Sequence, residues 1–248
     1  MVNFSFYLKF FRLLKKFINS SVLPLYQMSF MEDVEKSLRE RLTKVAQSIW
    51  NDGLVTGTSG NISARIPGTS KCIIKPSGFK MGELKPEDFI VVDIYTRTVL
   101  EGEHKPSIET PFHTTMYRIR PDIGGVVHTH SHYATVFGIA GIELTPMGMI
   151  LYSAPKLAKG IGIAQYADPG TEQLALNIGA ALGEKYAVLM PHHGVITVGK
   201  DIEEAYINAK MVEELAKLQY EVMQIGKPQP LPEKTIKKFL ETTETKGT

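Results

Sequence analysis

Residues 187–198 constrain the fold more tightly than any other stretch. Ala187-Val188-Leu189-Met190 and Val195-Ile196-Thr197-Val198 are two apolar runs of strand length, separated only by Pro191-His192-His193-Gly194. Turn-forming residues between two such runs read as a strand pair closed by a turn. Gly194 is expected to let the backbone bend and expose an imidazole at the rim of a sheet, with His193 first and His192 as the alternative.

A further buried strand is read in Gly124-Gly125-Val126-Val127-His128-Thr129-His130. Side chains alternate between the faces of a strand, so His128 and His130, two positions apart, point the same way. Two imidazoles held like this converge on one point. A catalytic zinc takes three protein ligands and leaves a position open, and the turn histidine supplies the third. A strand-end His-Thr-His also fits a hydrogen-bonded pair with no metal. Clustering five of the seven histidines into two short segments favours the cation. His113, His104 and His132 read as structural or solvent-exposed. The single cysteine, Cys72, lies in an apolar run without a partner, which excludes a disulfide framework and a cysteine-based zinc site.

Elsewhere the pattern alternates between helical and extended texture. Residues 32–54 carry apolar side chains at Val34, Leu38, Leu42, Val45, Ile49 and Trp50, a helical spacing that Gly53 is placed to stop. From Gly57 to Val99, short strand-like pieces at 61–65, 72–75 and 89–93 are separated by Gly, Pro, Ser and Thr, as in an antiparallel meander. Helices are read at 109–120, with Pro111 in the first turn, at 133–139, at 171–184, and at 201–225, an amphipathic stretch. After Gly226 the chain reads as a proline-punctuated, polar tail. No repeat and no linker divides it, so one domain is expected, with helices covering a sheet.

Gly57-Thr58-Ser59-Gly60-Asn61-Ile62-Ser63 is a glycine-rich turn entering a strand, with small side chains that leave N–H groups accessible to an anion. It lacks the Gly-Lys-Ser/Thr ending of a Walker loop and the Gly-x-Gly-x-x-Gly of a dinucleotide site. Pro76-Ser77-Gly78 and Pro106-Ser107 are further turns of this kind. Glu109, at the start of a helix, suits the positive end of the helix dipole and is also placed to serve a cation or carry a proton. The formal net charge of +2 is too small to argue for a nucleic-acid partner, and an anionic small molecule is compatible with it.

Taken together, these five motifs, in this order, resemble the class II aldolase/adducin family over roughly residues 38–225. The resemblance implies a three-layer α/β/α fold with a mainly antiparallel central sheet, and a cytoplasmic homotetramer with sites at subunit interfaces. It implies one divalent metal per subunit, Zn2+ first and Co2+ or Mn2+ as alternatives, on His128, His130 and His193, with Glu109 as fourth ligand and proton carrier. Substrate phosphate falls to Gly60, Asn61, Ser77, Gly78, Ser107 and Ile108. Ile108 stands where the bacterial fuculose enzymes have serine, so only a backbone contact is carried over there. Tyr152 lies near the position of a second acid that acts across subunits. The activity implied is reversible cleavage of a ketose 1-phosphate, fuculose 1-phosphate-like, to dihydroxyacetone phosphate and an aldehyde. A pentulose-phosphate 4-epimerase, a methylthioribulose-1-phosphate dehydratase and a non-enzymatic adducin-like scaffold are the alternatives. Epimerases of the family commonly carry aspartate where this chain has Glu109, which favours the aldolase.

Residues 1–30 stand apart as a basic, aromatic extension ahead of a domain spanning 31–248. The segment suits a helix lying on a membrane surface, but its charges interrupt any span and spoil a secretory signal. Met28 and Met31 offer starts that would lose nothing globular, so the expectation is a misplaced start.

Overall fold

In the computed structural model, residues 22–148 and 150–245 are described. Two compact units are present, Met1–Ser37 and Leu38–Thr248. The expected membrane-lying segment falls largely outside the described residues, and no described helix is long and apolar enough to cross a membrane.

Helix α1 spans Val22–Asn51, beginning ten residues before the expected Glu32. Pro24 falls in the first turn, where a missing N–H breaks no helical hydrogen bond, so nothing local stops the helix from starting there. Its apolar stripe is buried at Leu38, Leu42, Val45 and Ile49, and Gly53, at φ +70°, ends it as expected.

Eight strands form one sheet in the order β4-β3-β2-β1-β5-β8-β7-β6. They are β1 Asn61–Arg65, β2 Lys71–Ile74, β3 Ile90–Asp93, β4 Val99–Glu101, β5 Gly125–Thr129, β6 Gly162–Ile163, β7 Ala187–Met190 and β8 Gly194–Gly199. Every neighbouring pair is antiparallel except β6 with β7. The meander β1–β3 and the β7–β8 hairpin match the sequence pattern, and β4 extends the meander by one strand. Strand β4 is exposed throughout and β6 is two residues long, so neither leaves a readable alternation.

The helices after the first strands are α2 Thr110–Ile119, α3 His132–Ala140, α4 Ile150–Ser153, α5 Glu172–Leu182, α6 Ile202–Ile225 and α7 Glu233–Thr245. Helix α6, capped by Asp201 Oδ1 accepting the Glu204 N–H at 2.9 Å, packs on β5 and β8. Its buried stripe of Ile202, Ala205, Ala209, Val212, Leu215 and Ala216 matches the expected face. Burying Ile202, Val212 and Leu215 is worth about 1.5–3 kcal/mol each relative to exposure, and the alanines let the helix approach the sheet closely. Helix α7 replaces the expected irregular tail: Ile236, Phe239 and Leu240 recur at helical spacing and pack against the core. The prolines of 228–232 only delay this helix.

Candidate metal centre and its phosphate turns

Strand β5 lies between β1 and β8, and this sets the centre of the site. His128 is fully buried, paired with Asn61 of β1 on one side and Ile196 of β8 on the other. His130 follows at the end of the strand, exposed, its N–H donating to the Leu54 carbonyl at 3.1 Å. The β7–β8 turn delivers His193. It is His192, at φ +61°, that takes the left-handed conformation there. Gly194 is needed for a different reason from the bend expected of it: a Cβ would lie 2.2 Å from the Thr129 carbonyl oxygen and 3.2 Å from the His128 ring. Close approach of β8 to β5 is what the glycine permits.

One ring nitrogen from each of His128, His130 and His193 lies within 4.8 Å of the others. Glu109, the residue before α2, enters the same cluster from below. Its Oε2 is 3.3 Å from His128 Nε2 and its Oε1 is 2.9 Å from His193 Nε2. Although close, Oε1 is not aligned for a hydrogen bond with His193; Oε1 and His193 Nδ1 are the buried side-chain polar atoms without such a partner among the described residues.

These atoms fit a cation. His128 Nδ1 lies 3.0 Å from the Val195 carbonyl, which can only accept, so Nδ1 carries the proton and Nε2 presents a lone pair. That lone pair faces His130 Nε2 at 3.1 Å and the Glu109 carboxylate at 3.3 Å. Tetrahedral zinc with arms of about 2.0–2.1 Å needs ligand atoms about 3.3 Å apart, close to these separations. A backbone carbonyl holding the far nitrogen of a ligand imidazole is also the usual support for a metal-binding histidine.

The electrostatics agree. Burial pushes His128 down to about 4 despite the Glu109 carboxylate beside it, and partial burial of the ring end of His130 lowers that group too, so both rings present lone pairs at neutral pH. For Glu109, burial works against the charged form, but His128, His193 and the Asn61 amide outweigh it and hold the carboxyl well below the ordinary range.

The three turns singled out in the sequence meet beside this cluster. Pro76 bridges Pro106, the Ser77 N–H donates to the Lys105 carbonyl at 2.9 Å, and the Ser107 N–H donates to that of Lys75 at 3.3 Å. Ser77 and Gly78 are exposed, whereas Ser107 is buried with its Oγ accepting the Glu109 N–H at 3.2 Å. Gly60 is buried at φ +70°, where a Cβ would meet Val55 Cγ1 at 2.6 Å and the His128 carbonyl at 2.8 Å. Ile108 projects to solvent, 68% exposed. The Asn61 side chain is turned to Glu109, its Nδ2 donating to Oε2 at 2.6 Å. Tyr152 is exposed, with its ring edge-on to Phe239 and not in the cluster of this chain.

Sequence reasoning passed over Lys75. Its ammonium is buried, with Nζ 3.3 Å from the Thr58 carbonyl and 3.4 Å from that of Pro76, so it joins the first two turns. Burial pushes it down to about 8 against the pull of Glu109. Among the described residues its hydrogen-bond acceptors are neutral carbonyls, so it is a buried cation set between two turns open to an anion. The signal was its position one residue before Pro76-Ser77-Gly78.

Comparison with known proteins bears on the same segment. The model of the class II aldolase and adducin N-terminal domain matches residues 40–220. The 5-deoxy-D-ribulose 1-phosphate aldolase of Bacillus thuringiensis serovar kurstaki is 34% identical over 84% of this chain and 96% of its own length. The 5-methylthioribulose-1-phosphate/5-deoxyribulose-1-phosphate aldolase of Rhodospirillum rubrum is 34% identical over 85% of this chain and 93% of its own. A solved L-fuculose 1-phosphate aldolase superposes with a TM-score of 0.74 at 30% identity, covering 84% of this chain and 96% of that one. The chain therefore belongs to the class II aldolase and adducin family.

Proposed function

We propose that the chain cleaves a ketose 1-phosphate reversibly to dihydroxyacetone phosphate and a small aldehyde. The chain is a metal-dependent aldehyde-lyase. The observation that carries the reading is the meeting of Glu109 with three imidazoles beside turns suited to phosphate. Between substrates, the similarity to two aldolases of 5-deoxyribulose 1-phosphate ranks a short deoxypentulose phosphate ahead of fuculose 1-phosphate.

Lys75, the main-chain N–H groups around Gly60 and Gly78, and Ser107 take the phosphate, holding the distant reacting bond in register. His128, His130 and His193 hold a divalent cation, zinc before cobalt or manganese, which when bound polarises a carbonyl oxygen of the substrate. Glu109 delivers a proton to the carbon that the departing aldehyde leaves, and in the reverse direction removes it. Asn61 supports that carboxylate, and Tyr152 of the partner subunit serves the aldehyde oxygen. A cytoplasmic homotetramer of three-layer α/β/α subunits, each with its catalytic domain over 31–248, completes the proposal; the family resemblance supports it.

Metal content of purified protein, with dihydroxyacetone phosphate release from 5-deoxyribulose, ribulose, fuculose and rhamnulose 1-phosphates before and after chelation, tests this. Chelator-sensitive release with about one metal per chain is expected. Metal without release would transfer the reading to a 4-epimerase or dehydratase, and absence of both to a scaffold.

A further inference from the structure

We propose that His113 is a positioning residue for Glu109, acting through Asn61, which holds one carboxylate oxygen in place and leaves the other to exchange the proton. The inference rests on the reading of Glu109 as the proton carrier.

Behind the metal cluster runs a chain of contacts through Tyr117, Ser63, His113, Asn61 and Glu109, none of them more than 5% exposed. Its directions are forced. A carboxylate only accepts, so the 2.6 Å contact of Asn61 Nδ2 with Glu109 Oε2 turns the amide NH2 toward Glu109 and the amide oxygen toward His113. That oxygen also only accepts, so His113 Nε2, in short contact with it, carries the ring proton. A buried imidazole stays neutral, which makes Nδ1 an acceptor, and the Ser63 hydroxyl 2.7 Å away donates to it. The Ser63 oxygen then accepts from the Tyr117 hydroxyl at 2.8 Å.

The two ends of a primary amide have nearly the same shape, so packing alone does not choose between them. Turned over, Asn61 would set its oxygen against the Glu109 carboxylate. Glu109 selects that orientation, and His113 reinforces it because its Nε2–H rewards only the amide oxygen. The consequence appears on Glu109 itself: Oε2 is taken, while Oε1, without a hydrogen-bond partner among the described residues, faces the histidines. An apolar ring at 113 would fill the same space, lose this second hold on the amide and leave Asn61 freer to move off Glu109.

The first test reads the tautomer. Full-length protein loaded with zinc and labelled with 15N-histidine is expected to show His113 as the Nε2–H form; an Nδ1–H form would overturn the proposal whatever the enzyme's substrate. The second test is kinetic. His113→Phe is expected to lower kcat about 10–100-fold, with zinc content and KM within about threefold of wild type. His113→Gln, whose amide N–H can reach the place of Nε2–H, should recover to within about fivefold of wild type. Full activity in His113→Phe, or equal losses in both variants, would refute the positioning role. Should His113→Phe not fold, His113→Asn replaces it, since its amide reaches only the place of Nδ1, and it should be about tenfold slower than His113→Gln. Glu109→Gln separates the two ideas: wild-type kcat in that variant removes the proton-carrier reading, and the tautomer measurement still judges the chain.

Discussion

The Nδ1–H of His128 donates to the Val195 carbonyl oxygen across 3.0 Å, joining a metal-ligand candidate on β5 to the backbone of β8. This bond fixes which nitrogen of the ring faces the cluster. His128→Ala is expected to reduce bound metal to under about a tenth per chain and kcat/KM by about a thousandfold or more. His130→Ala, at the exposed side, should retain weaker but measurable metal. Elemental analysis after gel filtration, with kinetics on the same samples, checks both.

Lys75→Met tests the phosphate turns. The thioether nearly matches the volume of the buried stem and removes the charge, so KM for the sugar phosphate should rise about 10–100-fold with a smaller change in kcat. In the wild type, KM should climb as pH passes about 8, where the burial-lowered ammonium loses its proton, and the variant should lack that climb. Steady-state kinetics from pH 6.5 to 9 provides the comparison.

Acid should weaken the metal-free fold through His113. Burial holds its folded-state value down to about 3, so below about 6.5 the unfolded chain takes a proton that the folded one refuses. Stability is therefore full above that range and is lost as pH falls, by about 2 kcal/mol at pH 5 from this one ring. Urea unfolding of chelated protein at pH 7 and pH 5 measures it. His113→Gln should show a loss smaller by that amount.

Gly60→Ala should be costly for its size. The residue sits at φ +70°, and the added Cβ meets both Val55 and the His128 carbonyl. Strain and crowding together predict a loss of about 2–4 kcal/mol, or roughly 4–16 °C in Tm by calorimetry. Because the crowded carbonyl belongs to His128, metal affinity should fall with it.

Much of this molecule could be read before its coordinates. The strand carrying His128 and the two strands flanking the His193 turn announced themselves because a fully buried strand is a continuous apolar run with abrupt ends. Helix α6 did so through its periodic stripe. By contrast, β4 and β6 are edge strands, one exposed and one very short, and α7 was hidden by the prolines before it. In the site, the spacing rule that paired His128 with His130 applies equally to Asn61 and Ser63, two apart on β1, and helical spacing sets His113 one turn from Glu109. Asn61 was read only as a phosphate contact, His113 as structural or exposed, and Ser63 drew no role of its own, because serine and asparagine in a strand look like turn chemistry and a lone helical histidine shows no partner in sequence. Only contacts between β1 and α2 reveal what they serve.

Strand β5 has neighbours on both sides, while β4 and β6 end the sheet. Edges are where backbone amides exchange with solvent first, since opening them breaks few contacts; a doubly paired strand opens only with the whole fold. With His128 seated on β5, the reacting centre stays assembled through the small openings that fray the margins. Sequence change can accumulate at those margins without reaching the chemistry.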